Sequence, residues 1–392
     1  MKRLQVERST TTPSSVRALV SLIMVATGAV VAAMPAAVQA VAARVFDVDG
    51  QAVIAIALSA GAFISAVING ALLESRLADP SIVVKTYIPK WASAAAIAGA
   101  ALLIVFPAEW WASALGLPLC MIALLLGRTH GVTARLWRSE LVGGLFLATG
   151  SLAAIWMAAS GVDVALSAIG VSIVAIVLIR LVGSPVSAQV DNTSWSRVAW
   201  VGTETAVVAS IPFVLNMTVF VLMGPGEAVA FRLVLTVLGV LQPVLGYLRT
   251  RLLSSMSMAL TMAMAGMTVV TLLAVIACQV FGVFDVIFGS SWAYVTSVSV
   301  ILGCLWKLLS VPEVLPFAAM RRRGAVREVF ILRVISTAVY LALGVVSAAT
   351  WGDSRAVFAS FIVAEAFTLV LYFAADLRGR RAMFRASQSV AP

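Results

Sequence analysis

Charge is scarce in this chain. Asp, Glu, Lys and Arg make up 11% of its 392 residues, against roughly 25% in ordinary soluble domains. Hydrophobic residues reach 62% and the mean hydropathy is +1.06, which excludes a soluble globular protein. Histidine is nearly missing: the lone His130 falls in a segment read as a cytoplasmic loop. No His/Asp/Glu cluster has metal-ligand spacing, and no nucleophile–base set can be assembled. The three cysteines, Cys120, Cys278 and Cys304, sit inside apolar runs without the spacing of a metal site or disulfide framework, and are read as small packing residues. There is no Gly-x-x-x-x-Gly-Lys-Ser/Thr phosphate loop, so direct ATP coupling is not expected. Neither a cofactor nor an enzymatic role is expected, because the loops are too short to form a catalytic domain.

What is abundant is long apolar sequence. A bilayer core offers backbone groups no water, so such runs read as membrane-spanning helices of about 20 residues. Six precede a polar stretch: 18–43, 52–73, 91–108, 110–127, 141–162 and 164–179. Six follow it: 198–223, 228–248, 256–281, 292–320, 329–350 and 356–375. The expectation is an all-α polytopic membrane protein of twelve transmembrane helices, with a first six-helix lobe over 1–182, a cytoplasmic linker over 183–197 and a second lobe over 198–392.

Basic residues are retained on the cytoplasmic side of a membrane. With the N-terminus inside, 22 of the 27 Lys and Arg residues fall on cytoplasmic segments, among them Arg128, Arg135, Arg138, Arg180 and Arg197. External loops hold only Arg44 and Arg355. Both termini are therefore expected in the cytoplasm. The formal charge of +10 is spread over segments facing anionic headgroups, with no basic domain for nucleic acid.

The two halves echo one another. Gly50-Gln51-Ala52-Val53 resembles Gly226-Glu227-Ala228-Val229, 176 positions on, and Pro35 and Pro212 are 177 apart. Arg128-Thr129-His130-Gly131 resembles Arg321-Arg322-Arg323-Gly324 at 193. An even number of spans per repeat makes the halves parallel, a plan found in secondary transporters, whose sites lie between the halves. Pro35 and Pro212 each remove a helical hydrogen bond and are hinge candidates.

Six charges remain inside spans, all in the second half: Arg232, Lys307, Arg333, Glu204, Glu313 and Glu365. Charges in hydrocarbon are costly and mark functional sites or internal pairs. Lys307, roughly 22 Å along the tenth run, and Glu365, roughly 14 Å along the twelfth, are the deepest at 1.5 Å per residue. Arg232, Lys307 and Arg333 are candidate cavity residues, since guanidinium and ammonium groups suit a diphosphate. Glu204, Glu313 and Glu365 are candidate ion-coupling or charge-pair residues. The competing arrangement is a structural pair of Glu365 with Lys307 or Arg333.

Three phrases carry a family resemblance: Gly224-Pro225-Gly226-Glu227-Ala228-Val229-Ala230-Phe231-Arg232-Leu233, Phe288-Gly289-Ser290-Ser291-Trp292, and the basic turn Arg321-Arg322-Arg323-Gly324. With the twelve spans, the chain resembles the multidrug/oligosaccharidyl-lipid/polysaccharide exporter superfamily, particularly its polysaccharide flippase branch. That resemblance implies two lobes around a central cavity, alternating access, and passage of polyprenyl-diphosphate-linked oligosaccharide across a bacterial inner or plasma membrane. Membrane lipid, the lipid-linked saccharide and polysaccharide assembly proteins are the implied partners. The first half departs from the family pattern by lacking an intramembrane cation. The alternative reading is a proton- or sodium-coupled multidrug antiporter of the same fold, resting on Glu204 and Glu313. A non-transporting scaffold or polytopic enzyme is a further alternative.

Overall fold

The computed structural model describes residues 14–77, 87–134, 136–183, 195–241 and 258–389. The terminal basic residues Lys2, Arg3 and Arg8, most of the expected linker, and Arg249 and Arg251 lie outside the described residues.

Among the described residues the fold is entirely helical. The major helices are α1 (Ser14–Val45), α2 (Val48–Asn69, continued by the wider turn Gly70–Glu74 and by Ser75–Leu77), α3 (Lys90–Val105), α4 (Trp110–Thr133), α5 (Trp137–Ala159) and α6 (Ala165–Gly183). They continue as α7 (Trp195–Met223), α8 (Pro225–Leu238), α9 (Met258–Val280), α10 (Ser297–Arg322), α11 (Val326–Trp351) and α12 (Ser354–Ser389). Each expected span overlaps one of these. Ten are long and apolar enough to cross a membrane; α3, with 16 residues, and α8, with 14, are shorter. The chain is a multi-pass membrane protein.

Local chemistry sets the helix ends. Asp47 caps α2 by accepting from Gly50 N at 2.9 Å, satisfying an otherwise orphaned N–H. Between α7 and α8 the chain turns at Gly224 with φ +91°, where a side chain would be strained, and Pro225 presets the first helical residue. The basic turn between α10 and α11 likewise hinges on Gly324, φ +77°.

Two expectations need correction here. The run 292–320 begins too early: Val283–Phe288 is a short helix, Gly289–Tyr294 a tight 3-10 turn, and α10 starts only at Ser297. Lys307 therefore lies about 15 Å along its helix and Glu365 about 16 Å along α12, at 1.5 Å per residue. The expected linker is shorter as well, because Trp195–Arg197 are already helical.

Helix pairings recur six helices on. α1 packs on α5 as α7 packs on α11; α3 on α4 as α9 on α10; α5 on α6 as α11 on α12. The halves meet where α2 packs on α7 and α8, and where α1 touches α8. One apolar cluster draws on the first six helices, with Val38, Leu117 and Ile169 fully covered. A second draws mainly on the last six, around Phe231, Phe358 and Phe361, and takes in Ala40 and Ala52 from the first half. Small residues permit the closest approach. A Cβ on Gly99 would sit 2.5 Å from the carbonyl oxygen of Gly116, and one on Gly116 would sit 2.7 Å from that of Gly99. The α3 and α4 backbones touch there, as at many membrane helix interfaces.

Candidate functional site

The intramembrane charges fall into separate groups. At the end of the bundle that carries Arg321, the buried Glu204 of α7 ion-pairs with Arg321 of α10, and with Arg333 of α11 at 2.7 Å. The Phe317 ring lies under both cations, 4.6 Å from the Arg333 guanidinium and 5.5 Å from that of Arg321. Glu74, at the end of the α2 extension, is within electrostatic reach of all three. The expected alternative pair of Arg333 with Glu365 does not form, because Glu204 holds the guanidinium instead.

The first half contains a matching group that the sequence reading placed in loops. Arg128, His130 and Arg180 are not loop residues: the first two belong to α4 and the third to α6. Glu140 of α5 is buried and accepts from Arg128 at 3.1 Å and from Arg180 at 3.0 Å. Arg128 also donates to Thr27 Oγ1 of α1 at 2.8 Å and to the Met24 carbonyl. Glycines make the space: a Cβ on Gly127 would strike Arg180 and one on Gly131 would strike Glu140. The first half thus does hold a buried cation, Arg180, and it shares the single carboxylate of Glu140 with the half-buried Arg128. The 193-residue repeat maps Arg128 onto Arg321 and Glu140 onto Arg333, a correspondence that could have marked this group.

Deeper in the second half, α10, α11 and α12 bring Trp306, Lys307, Glu313, Tyr340 and Glu365 together. The Lys307 ammonium lies 3.7 Å from the Trp306 ring centroid, an attractive cation–π geometry. Trp306 Nε1 donates to Tyr340 Oη at 2.7 Å and to Glu365 Oε2 at 3.2 Å, and the Tyr340 hydroxyl also donates to Glu365. Lys307 feels both Glu313 and Glu365 electrostatically. Three of the expected residues therefore meet in one cluster, without a direct Lys–Glu ion pair. Sequence reasoning did not include Trp306 or Tyr340, whose roles depend on neighbours from other helices.

Arg232 stands apart from all three groups. It is 7% exposed on α8 and donates to Ser59 Oγ of α2 at 3.2 Å, while its Nε has no hydrogen-bond partner in the protein. No carboxylate pairs with it among the described residues. This contact crosses from one half to the other, since Ser59 belongs to α2. Pro35 and Pro212 lie inside α1 and α7.

The halves are also tied at the opposite end of the bundle. Arg44, in the last turn of α1, donates to the carbonyls of Val286 at 2.6 Å and Ile287 at 2.7 Å. Nearby, Ser291 donates to Gln51 of α2 at 2.5 Å.

Cys120 and Cys304 are buried and Cys278 half-buried, all as free thiols. No cluster of His, Cys, Asp and Glu able to hold a metal occurs among the described residues.

No family model and no curated protein matches the chain. Solved structures do. The chain is similar to the inward-facing conformation of a multidrug resistance MATE family transporter of the MOP superfamily, covering 95% of this chain and 96% of that one at 15% identity and a TM-score of 0.48. The outward-facing conformation of such a transporter matches over the same shares at 13% identity and 0.48. A MOP superfamily transporter from Pyrococcus furiosus, reported for the reverse polarity of its binding pocket, matches over 94% of this chain and 87% of that one at 14% identity and 0.47.

Proposed function

We propose that this chain is an alternating-access membrane transporter that moves a polyprenyl-diphosphate-linked oligosaccharide across a bacterial inner membrane. Its first unit ends with α6 and its second begins with α7, both termini facing the cytoplasm. The observation that carries this reading is Arg232: a buried guanidinium at the contact of α2 and α8, with no carboxylate partner among the described residues. An unpaired charge inside a membrane protein is costly unless it faces a wet path or meets a counter-ion, and a phosphate oxygen is a good counter-ion for guanidinium. Arg333, by contrast, ion-pairs with Glu204, which it shares with Arg321, and this makes it a structural residue in this account. Lys307 lies against Trp306 and within electrostatic reach of Glu313 and Glu365 on the last three helices.

The test uses the purified chain in nanodiscs with farnesyl diphosphate as probe. The expected result is binding that falls at least tenfold in Arg232→Met and less in Arg232→Lys. Equal affinity in wild type and Arg232→Met overturns the assignment.

One observation favours a second reading, a cation-coupled multidrug antiporter. Glu313 and Glu365 lie close enough to interact beside Trp306, Tyr340 and Lys307, a cluster able to exchange a proton or monovalent cation. Under that reading the wild-type chain ignores farnesyl diphosphate, and efflux of a cationic dye depends on the ion gradient and is lost in Glu365→Gln.

A further inference from the structure

The four helices at the seam, α1, α2, α7 and α8, pack on one another and carry polar side chains that their surroundings leave unanswered. Gln39 lies one turn beyond Pro35 on α1, and Asn216 one turn beyond Pro212 on α7; the two carboxamides are 177 positions apart, as the prolines are. Gln39 is 5% and Asn216 0% exposed. Gln39 Oε1 and both amide atoms of Asn216 have no hydrogen-bond partner in the protein.

These groups share a depth with Arg232. Gln39 is six residues from the end of α1 at Val45, Asn216 seven from the end of α7 at Met223, and Arg232 seven from the start of α8 at Pro225. Each therefore lies about 10 Å below the same end of the bundle, at 1.5 Å per residue. One turn deeper come Ser59 and Thr236, again 177 apart. The bond from Arg232 to Ser59 joins the two levels, and the Thr236 hydroxyl is another buried group without a partner. A buried amide left unsatisfied is destabilising, whereas a leucine of similar shape carries no such penalty. Repetition at equivalent places in both halves sets Gln39 and Asn216 apart from stray polar residues.

We propose that Gln39 and Asn216 form a hydrogen-bonding subsite for the hydroxyls of the sugar nearest the phosphate that Arg232 holds. A carboxamide offers donors and an acceptor at once, matching a hydroxyl, which is both. The layer thus presents one cation for phosphate and two neutral, two-way hydrogen-bonding groups for carbohydrate, contributed by both halves. This assignment rests on the lipid-linked saccharide reading.

The experiment compares binding of farnesyl diphosphate with that of glucosyl-, galactosyl- and N-acetylglucosaminyl-farnesyl diphosphate to the full chain in nanodiscs, alongside melting temperatures. Expected is at least a tenfold tighter binding of one glycosylated probe by wild type. Gln39→Leu and Asn216→Leu each lose most of that gain, keep their affinity for the bare diphosphate, and melt no lower than wild type. Should Asn216→Leu fail to fold, Asn216→Ala and Gln39→Leu carry the comparison. A wild type that binds the bare diphosphate without any sugar gain, or variants that keep the gain, overturn the subsite while leaving Arg232 intact; the amides are then satisfied by trapped water. Markedly lower melting of both Gln39→Leu and Asn216→Ala shows the amides to be structural and overturns it too. If wild type binds no probe at all, the transport assignment itself fails.

Discussion

Arg333 ion-pairs with Glu204 at 2.7 Å from the position that Glu140 occupies 193 residues earlier. The partner positions correspond too: Arg128 reaches Thr27 as Arg321 reaches Glu204, at 193 and 177 residues. The same helices are thus clamped in both halves, α4 to α1 and α10 to α7, with the acid moved from α5 in the first half to α7 in the second. The two halves keep the contact with different charges.

Removing Glu140 leaves the buried Arg180 and the half-buried Arg128 without their shared carboxylate. Glu140→Gln is expected to cost about 3–5 kcal/mol, the range for breaking a buried ion pair from one side, and to lower the melting temperature of the purified chain strongly. Removing all three charges, with Arg128→Met and Arg180→Met added, is expected to recover much of that loss. No loss in the single variant contradicts the clamp.

The α3–α4 contact leaves no room for a side chain. Gly99→Leu forces the two backbones apart and is expected to cost about 1–3 kcal/mol, as overpacking does in tightly packed interiors. Thermal unfolding in detergent measures this. Gly266, inside α9, where a Cβ would meet nothing within 4 Å, supplies the comparison: Gly266→Leu should change stability far less.

Arg44 is the strongest tie between the halves at its end of the bundle, since hydrogen bonds from a charged donor contribute about 1.5–3 kcal/mol each. Breaking it with Arg44→Gln is expected to favour the state open on that side. The readout is the rate at which an impermeant maleimide labels Ala52→Cys, buried here at 0% exposure, in a chain whose Cys120, Cys278 and Cys304 are replaced by alanine. Labelling faster than in the Arg44 parent is predicted. An unchanged rate removes the latch from the account.

The positions of the helices were legible because apolar runs in lipid leave the backbone little choice but to form helices. Boundaries were less legible: the tenth run starts five residues early at Trp292, where aromatic and aliphatic residues extend it although Gly289 and the tight turn keep it outside α10, and α12 continues to Ser389, well past the expected end at 375. The buried charges were harder. Arg128 and Arg180 look like loop residues when counted by sign, although Gly127 and Gly131 leave room between the helices for Arg180 and Glu140. Which acid meets which base was not legible at all, because Glu204, Arg321 and Arg333 come from three helices whose rotations the sequence does not specify. Asn216 escaped notice for a simpler reason: an uncharged residue in an apolar run leaves no trace in a search for charges.

The leaflet distribution of polyprenyl-diphosphate-linked oligosaccharide, in cells with and without this chain, tests the transport assignment most directly. With assembly active and other exporters removed, loss of the chain should trap the intermediate on the cytoplasmic leaflet. Wild type should restore its movement, and Arg232→Met should not. An unchanged distribution in the absence of the chain contradicts the account and puts the ion-coupled antiporter in its place.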